Sequence, residues 1–250
     1  MDTEMYRLFF EVQQRHWWFV ARRKIVLDLI ARHYRPGPDS KVLDIGCGAG
    51  LMLNELTRFG ETSGMDSAEE AIAFSREVFE GDVRAGQLPG QVPFPGNSFN
   101  LITALDVIEH IDDDVGSLQA MRALLRPGAK AVITVPAFMF LWTEFDEINA
   151  HKRRYTRSEL CAKLRQAGFA VERISYFNTL LFPLVVLVRA LNRLFKRSGA
   201  DDLSLPNRFA NAALTGLFGC EKWLLRYLSF PFGVSILAVA SCAPEHPAAV

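Results

Sequence analysis

The ten residues Lys41 to Gly50, KVLDIGCGAG, restrict what this chain can fold into more than any other stretch. A β-prone apolar run, Val42, Leu43 and Ile45, stops at glycines on every second position, Gly46, Gly48 and Gly50, and a helical pattern begins directly after. Strand, tight turn and helix in that order is a unit of an open α/β sheet, in which ligands bind beyond the carboxyl ends of the strands. Glycines suit the turn because they accept positive φ and carry no Cβ, so a ligand can lie against the backbone and reach the N–H groups that open the helix. Asp44 stands two residues before the first glycine. A carboxylate there favours a cationic ligand over a pyrophosphate, and the third glycine comes one residue early for the dinucleotide pattern G-x-G-x-x-G.

A chain of 250 residues fits one α/β domain with additions and can bury a sizeable core. Lys and Arg number 28 and Asp and Glu number 28, so no overall field recruits nucleic acid or an anionic membrane, and any such role rests on local patches. The four cysteines, Cys47, Cys161, Cys220 and Cys242, show neither C-x-x-C nor zinc-ligand spacing, and reduced thiols in a cytoplasmic setting are expected. The leading residues MDTEMYRLFFEVQQRHWW lack the basic-then-apolar order of a signal peptide, so secretion is not expected.

With Asp44, Gly46, Gly48 and Gly50 in the form D-x-G-x-G-x-G, the chain resembles the class I methyltransferases that use S-adenosylmethionine, in the small-molecule branch of the type 11, 12 and 23 kind. The resemblance implies S-adenosyl-L-methionine as cofactor, cradled by Asp44, Gly46, Cys47 and Gly48. A second strand from Glu61 to Met65 ends at Asp66, twenty positions beyond Gly46, close to the offset at which an acid meets ribose hydroxyls in doubly wound folds. Asp66 or Ser67 equally suits the cap of the helix that follows, which opens with Glu69 and Glu70. Residues 79–83 read as a third strand and its end, and the resemblance gives Asp82 and the Val83 backbone to the adenine ring. The loop from Gln87 to Phe99 is similar to that family's connection to the fourth strand, with Asn100 in place of the usual aspartate.

The fourth strand, Leu101 to Leu105, delivers Asp106-Val107-Ile108-Glu109-His110-Ile111, similar to the family's fourth motif, whose place at a strand end puts Asp106 and Val107 beside the transferring methyl. Three roles are open to His110: general base for a hydroxyl acceptor, metal ligand with Asp106 and Glu109, or a purely structural hydrogen-bonding group. His151 is the other candidate for proton removal, and small-RNA methyltransferases carry a related E-x-x-E-H with a downstream histidine, although Asp106 stands here where those have glutamate. Leu124 to Lys130 reads as a helix-ending turn before a fifth strand, Ala131 to Val135, and residues 138–146 as an acceptor-facing wall or a hydrophobic core loop. Thr156 to Glu159 caps a helix that ends at Gly168 before a sixth strand, Ala170 to Tyr176.

Two further pieces decide how the pocket is closed. Residues 4–33 read as one or two helices ending before Arg35-Pro36-Gly37-Pro38. Within them HWWFVARRK is either an amphipathic face packed on the sheet or a cap over the cofactor, with Arg22 or Arg23 on the methionine carboxylate. Later, FNTLLFPLVVLVRALNRLFK, residues 177–196, is too short and too interrupted by Pro183 to span a bilayer. It suits a lid, or a helix lying in a membrane interface with Arg189, Arg193, Lys196 and Arg197 beside it and the polar linker Ser198 to Asn207 after it.

The expected architecture is a doubly wound, Rossmann-like, mostly parallel seven-stranded sheet. It comprises an N-terminal helical cap over 1–38, the cofactor domain over 39–177 and 232–243 closed by a last strand from Val234 to Ser241, and a helical insert over 178–231. The expected activity is methyl transfer to an oxygen, or secondarily a nitrogen, of a small molecule or lipid-linked intermediate, in the cytoplasm or at the inner membrane face, with no resident metal. A nucleic-acid methyltransferase is disfavoured by the neutral charge and by the lack of an N/D-P-P-Y motif, its one support being the basic run from Lys152 to Arg157. A nicotinamide-dependent oxidoreductase conflicts with the glycine spacing, and a non-catalytic cofactor-binding module stays open.

Overall fold

The computed structural model describes residues 3–195 and 205–242; Lys196, Arg197 and the linker residues 198–204 lie outside them. One sheet is built from β1 (Lys41–Ile45), β2 (Glu61–Asp66), β3 (Asp82–Ala85), β4 (Phe99–Leu105), β5 (Leu125–Pro136), β6 (Phe169–Phe177) and β7 (Ser235–Cys242). Its order is β3-β2-β1-β4-β5-β7-β6. The first five strands pair in parallel, and β7 runs antiparallel between β5 and β6. The order reverses between β1 and β4, so the chain leaves those strand ends in opposite directions and opens a crevice above them. This is the doubly wound, mostly parallel sheet that the sequence leads one to expect.

The helices are α1 (Thr3–Arg15), α2 (Trp17–His33), α3 (Leu51–Leu56), α4 (Glu69–Val78), α5 (Asp114–Leu124), α6 (Glu144–Ile148), α7 (Arg157–Gln166), α8 (Phe182–Leu194), α9 (Arg208–Gly219) and α10 (Glu221–Leu224). Alternation along the central strands sorts them into two layers, because successive side chains point to opposite faces. Ile102, Ala104, Ile133, Ile236 and Ala238 pack with Leu118 and Met121 of α5 and Leu160 and Leu164 of α7. Leu101, Val132, Leu237 and Val239 pack with Ile25, Val26 and Ile30 of α2, Phe218 of α9 and Leu225 after α10.

The N-terminal segment is therefore a layer of the fold. The break between α1 and α2 falls at the buried His16, in extended conformation, whose Nδ1 accepts from the Trp18 N–H at 3.3 Å. Asn211 of α9 fastens the break from the other side, accepting from the Trp17 N–H at 2.9 Å and donating to the Arg15 carbonyl at 2.8 Å.

Two strands differ from the sequence reading. β5 begins at Leu125 rather than Ala131: Leu125 pairs with Phe99 and Lys130 with Leu101, and the extra residues pass through Gly128 at φ +76°. β3 begins where residues 79–83 were read as ending, because Asp82 pairs with Ser63 and Ala85 with Asp66. Among the described residues, no helix is long and apolar enough to cross a membrane.

Candidate functional site

Above the β1 and β4 ends lies a cavity of about 580 Å³. Its floor is the glycine turn. Gly46 adopts φ +68°, and a Cβ there would meet Val107 Cγ2 at 2.5 Å, so Val107 supports the turn from beneath and does not line the cavity. Gly48 adopts φ +52° with open space where a Cβ would be, which leaves the backbone bare to a ligand. The Gly46 and Cys47 N–H groups both donate to the Met65 carbonyl, at 2.7 and 3.1 Å, pinning the turn to β2. Cys47 borders the cavity, but burial pushes its thiol up and Asp44 and Asp66 push the same way, which favours the thiol over the reactive thiolate.

Asp44 is 3% exposed and accepts from Thr103 Oγ at 2.5 Å. Burial raises its pKa to about 7, opposed by the Thr103 hydrogen bond and by Arg22, and reinforced by Asp66. A buried acid held at that balance beside a bare turn fits a cationic cofactor such as S-adenosylmethionine, since a positive group favours the ionised form.

Asp66 lies at the end of β2, and each carboxylate oxygen accepts one backbone N–H: Oδ2 from Gly48 at 2.8 Å and Oδ1 from Ala68 at 3.0 Å, with a second lone pair left on each. Ala68 occupies the N-cap of α4 without a side-chain bond, so neither Asp66 nor the exposed Ser67 caps that helix in the usual way. Asp82 and Val83 require correction. They open β3 instead of ending it, the Asp82 side chain pairs with Arg84 at 2.8 Å, and Val83 is buried. The carboxyl end of β3 carries Ala85 and then Gly86, whose N–H donates to the Asp66 carbonyl at 2.9 Å.

Three non-glycine residues in left-handed conformation follow the strand ends: Asp106 after β4, Phe138 after β5 and Asn178 after β6, at φ +58°, +58° and +56°. Each such residue costs about 1–2 kcal/mol, and Asp106 and Asn178 line the cavity. Asp106 accepts from Thr134 Oγ at 3.0 Å and pairs with Arg22 of α2 at 2.7 Å. Arg22 also donates to Thr134 Oγ at 2.9 Å and sits over the Trp18 ring, 5.0 Å from its centroid. Arg22 thus lines the cavity while bound to the β4 and β5 ends, and Arg23 lies 3.8 Å from Glu55.

The 3-10 turn Ile108–His110 presents Glu109 and His110 to the same cavity. His151 meets them from the loop after α6: its ring centroid lies 4.6 Å from that of His110, edge to face. A hydrogen bond from the Lys152 N–H to the Glu109 carbonyl, 2.7 Å, locks the two segments together. Burial against the walls lowers the His110 pKa, and His151 lowers it further, so the ring is neutral at pH 7. His151 Nδ1 bonds Asp146 at 2.8 Å, which directs its Nε2 away from that carboxylate. Asp146 is fully buried and also takes Nε and Nη2 of the buried Arg154, each at 2.8 Å.

The structure therefore brings His110 and His151 together with Glu109, while Asp106 is engaged by Arg22 and Thr134. The sequence reading missed the Asp146–Arg154 pair, whose signal lay in an acid inside an aromatic segment and a basic run just after it. That run is largely spent internally, since Arg153 bonds Asp114 at 3.0 Å and Arg154 bonds Asp146.

A family model for a methyltransferase domain matches residues 16–174, which takes in α2, the glycine turn and both histidines. Over 174 residues the chain is 26% identical to a ubiquinone biosynthesis O-methyltransferase of Xanthomonas axonopodis pv. citri, covering 62% of this chain and 72% of that protein. The alignment to a protein of that name from Aeromonas salmonicida, 26% identical, covers 54% of this chain and 65% of the relative. Among solved structures, a putative sarcosine dimethylglycine methyltransferase from Galdieria sulphuraria matches with TM-score 0.64 at 16% identity, over 96% of this chain and 98% of that one. Likeness at that identity shows the fold alone, and folds of this kind host more than one reaction.

Proposed function

This chain belongs to the class I S-adenosylmethionine-dependent methyltransferases, and we propose that its acceptor is an apolar or lipid-linked small molecule methylated on an oxygen. One observation carries the reading: the cavity has two unlike walls. Glu109, His110 and His151 make one polar, while Leu181, Leu184, Val185 and Val188 at the start of α8, with Leu214 of α9, make the other apolar. An acceptor with a single hydroxyl on an apolar body matches both.

The relatives named ubiquinone biosynthesis O-methyltransferases support oxygen as the accepting atom. The surface around α8 supports a lipid source. No residue of α8 is buried, and Leu187, Leu191 and Leu194 stand 56%, 42% and 73% exposed, as Met139 and Phe140 do at 54% and 52%. Residues 178–231 hold seven Lys and Arg against three Asp and Glu in a chain that is otherwise acidic by the same margin. An apolar helix face within a locally basic segment suits the interface of an anionic bilayer.

S-Adenosylmethionine, when bound, supplies the methyl group on a sulfonium, already activated for in-line displacement. The residues here then have three tasks. Asp44 and the bare turn at Gly46 and Gly48 hold the cationic cofactor at the β1 end. Arg22, tied to Asp106 and Thr134, fixes α2 across the pocket and keeps water out with Trp17 and Trp18. The Glu109, His110 and His151 wall receives the acceptor oxygen as it loses its proton. Holding both partners in line contributes several kcal/mol without covalent catalysis, by about the magnitudes seen in oriented intramolecular reactions.

The test is transfer of labelled methyl from S-adenosylmethionine into extract, followed by solvent partition and mass spectrometry of what becomes labelled. The expected product is an O-methyl ether in the lipid phase. Label confined to amines or to water-soluble compounds overturns the acceptor reading. Flotation with anionic vesicles checks the surface separately, and protein that stays wholly at the bottom of the gradient overturns the interfacial role of α8.

A further inference from the structure

We infer that Glu109, His110 and His151 form a binding site for a divalent transition-metal ion on the acceptor side of the cavity. One ligand atom from each lies within 4.8 Å of the others, close enough for one ion to touch all three. The second observation is Glu109 itself. Its side chain is fully buried, it borders the cavity, and among the described residues neither carboxylate oxygen meets a hydrogen-bond partner. A buried carboxylate without partners is costly unless it is protonated or meets a cation. Asp114 and Asp146, buried elsewhere in the chain, are each met by an arginine.

His151 is arranged as a ligand rather than as a free base. Its Nδ1 is held by Asp146, which is itself fixed by the bidentate Arg154 and by the Thr143 N–H at 2.8 Å. Metal-binding histidines are commonly oriented in this way, with one ring nitrogen on a carboxylate and the other on the ion. Two imidazoles and one carboxylate favour zinc, manganese, iron or cobalt over calcium or magnesium, and three protein ligands leave positions open for a substrate oxygen. Asp106 is outside the set, being bound to Arg22.

The role of the ion rests on the oxygen-acceptor reading: a hydroxyl bound to it would release its proton to water or buffer more readily, so the two histidines would serve as ligands and not as proton acceptors. Binding of the ion does not depend on that reading, and the experiment separates them. Titration of the cofactor-free protein with Zn²⁺ or Mn²⁺ alone, by calorimetry and for Mn²⁺ by electron paramagnetic resonance, is expected to give one site per chain. Glu109→Gln and His151→Ala are each expected to weaken it by roughly ten- to a hundred-fold. Thermal melts without metal establish that the variants fold, and added metal should raise the melting temperature of the parent chain alone. No binding to the parent chain, or binding unchanged in both folded variants, overturns the site. Transfer that survives chelation with the ion removed overturns the role given to it, and leaves the acceptor reading to its own product analysis.

Discussion

Asp44 is where burial and ligand charge oppose each other most directly. Its pKa of about 7 in the folded protein lies above the about 4 of an unfolded chain. Below pH 4 both states are protonated and the group is neutral in its effect. Between pH 4 and 7 the unfolded chain ionises first, so the cofactor-free protein loses stability as pH rises, and above 7 the loss levels off. A cationic cofactor reverses the preference by favouring the ionised form, so its binding expels a proton below pH 7. Cofactor affinity should therefore climb with pH up to about 7 and then flatten. Calorimetry at pH 6.5 in two buffers of different ionisation enthalpy should show the proton release, and Asp44→Asn should abolish that part of it. The first two glycines of the same turn make a second test. Gly46→Ala pushes a methyl to 2.5 Å from Val107 Cγ2 at positive φ and should cost about 2–5 kcal/mol of stability, seen in denaturant melts. Gly48→Ala meets no atom, so its stability cost should stay near the about 1–2 kcal/mol of the left-handed backbone, while its methyl obstructs the cavity floor and cofactor affinity falls.

Elements were legible where a local pattern decides them. The strand-turn-helix at Lys41 to Leu56 follows from alternation and glycine spacing, and Thr156 forms the capping box with Glu159 that its sequence suggests. What stayed hidden was set by pairing between distant segments. Residues 79–83 read as a third strand and its end, yet Phe79 ends α4 and only pairing with β2 fixes where β3 begins. Asp146, read within an acceptor-facing wall or a core loop, and Arg154, read within a basic run, pair only because the fold buries them together. The attachment of α8 is of the same kind. Glu221, fully buried in α10, accepts from the Thr179 and Leu180 N–H groups at 2.7 and 2.8 Å with one oxygen, and so holds the root of a helix that buries none of its own residues. Glu221→Ala leaves those donors unpaired, at about 1–3 kcal/mol each. Amide hydrogen exchange across residues 179–194 should accelerate, while β1, β4 and β5 keep their protection. Uniformly faster exchange throughout the sheet would contradict so local a role.

At the scale of the whole molecule, the N-terminal segment is better described by what it buries than by its position in front of the cofactor motif. α1 lies outside, with Phe10 against Phe74 at 5.4 Å between centroids and Arg7 on Glu77 at 3.1 Å. α2 lies inside, with Ile25, Val26, Leu27, Leu29 and Ile30 all buried in the layer shared with α9 and the sheet. Five large apolar side chains at about 1.5–3 kcal/mol each match the whole net stability of about 5–15 kcal/mol for a typical domain. Arg22 adds to this by joining the α2 layer to the β4 end at the catalytic crevice, so losing α2 unroofs the cavity and exposes the core together. Removing residues 1–15 should therefore leave a cooperative urea transition at modestly lower midpoint, with cofactor binding retained. Removing residues 1–33 should leave no cooperative transition, and cofactor binding should be lost with the fold. Far-ultraviolet circular dichroism and urea melts of the two truncations distinguish the cases, and a cooperatively melting protein without α2 would return that helix to the status of a detachable cap.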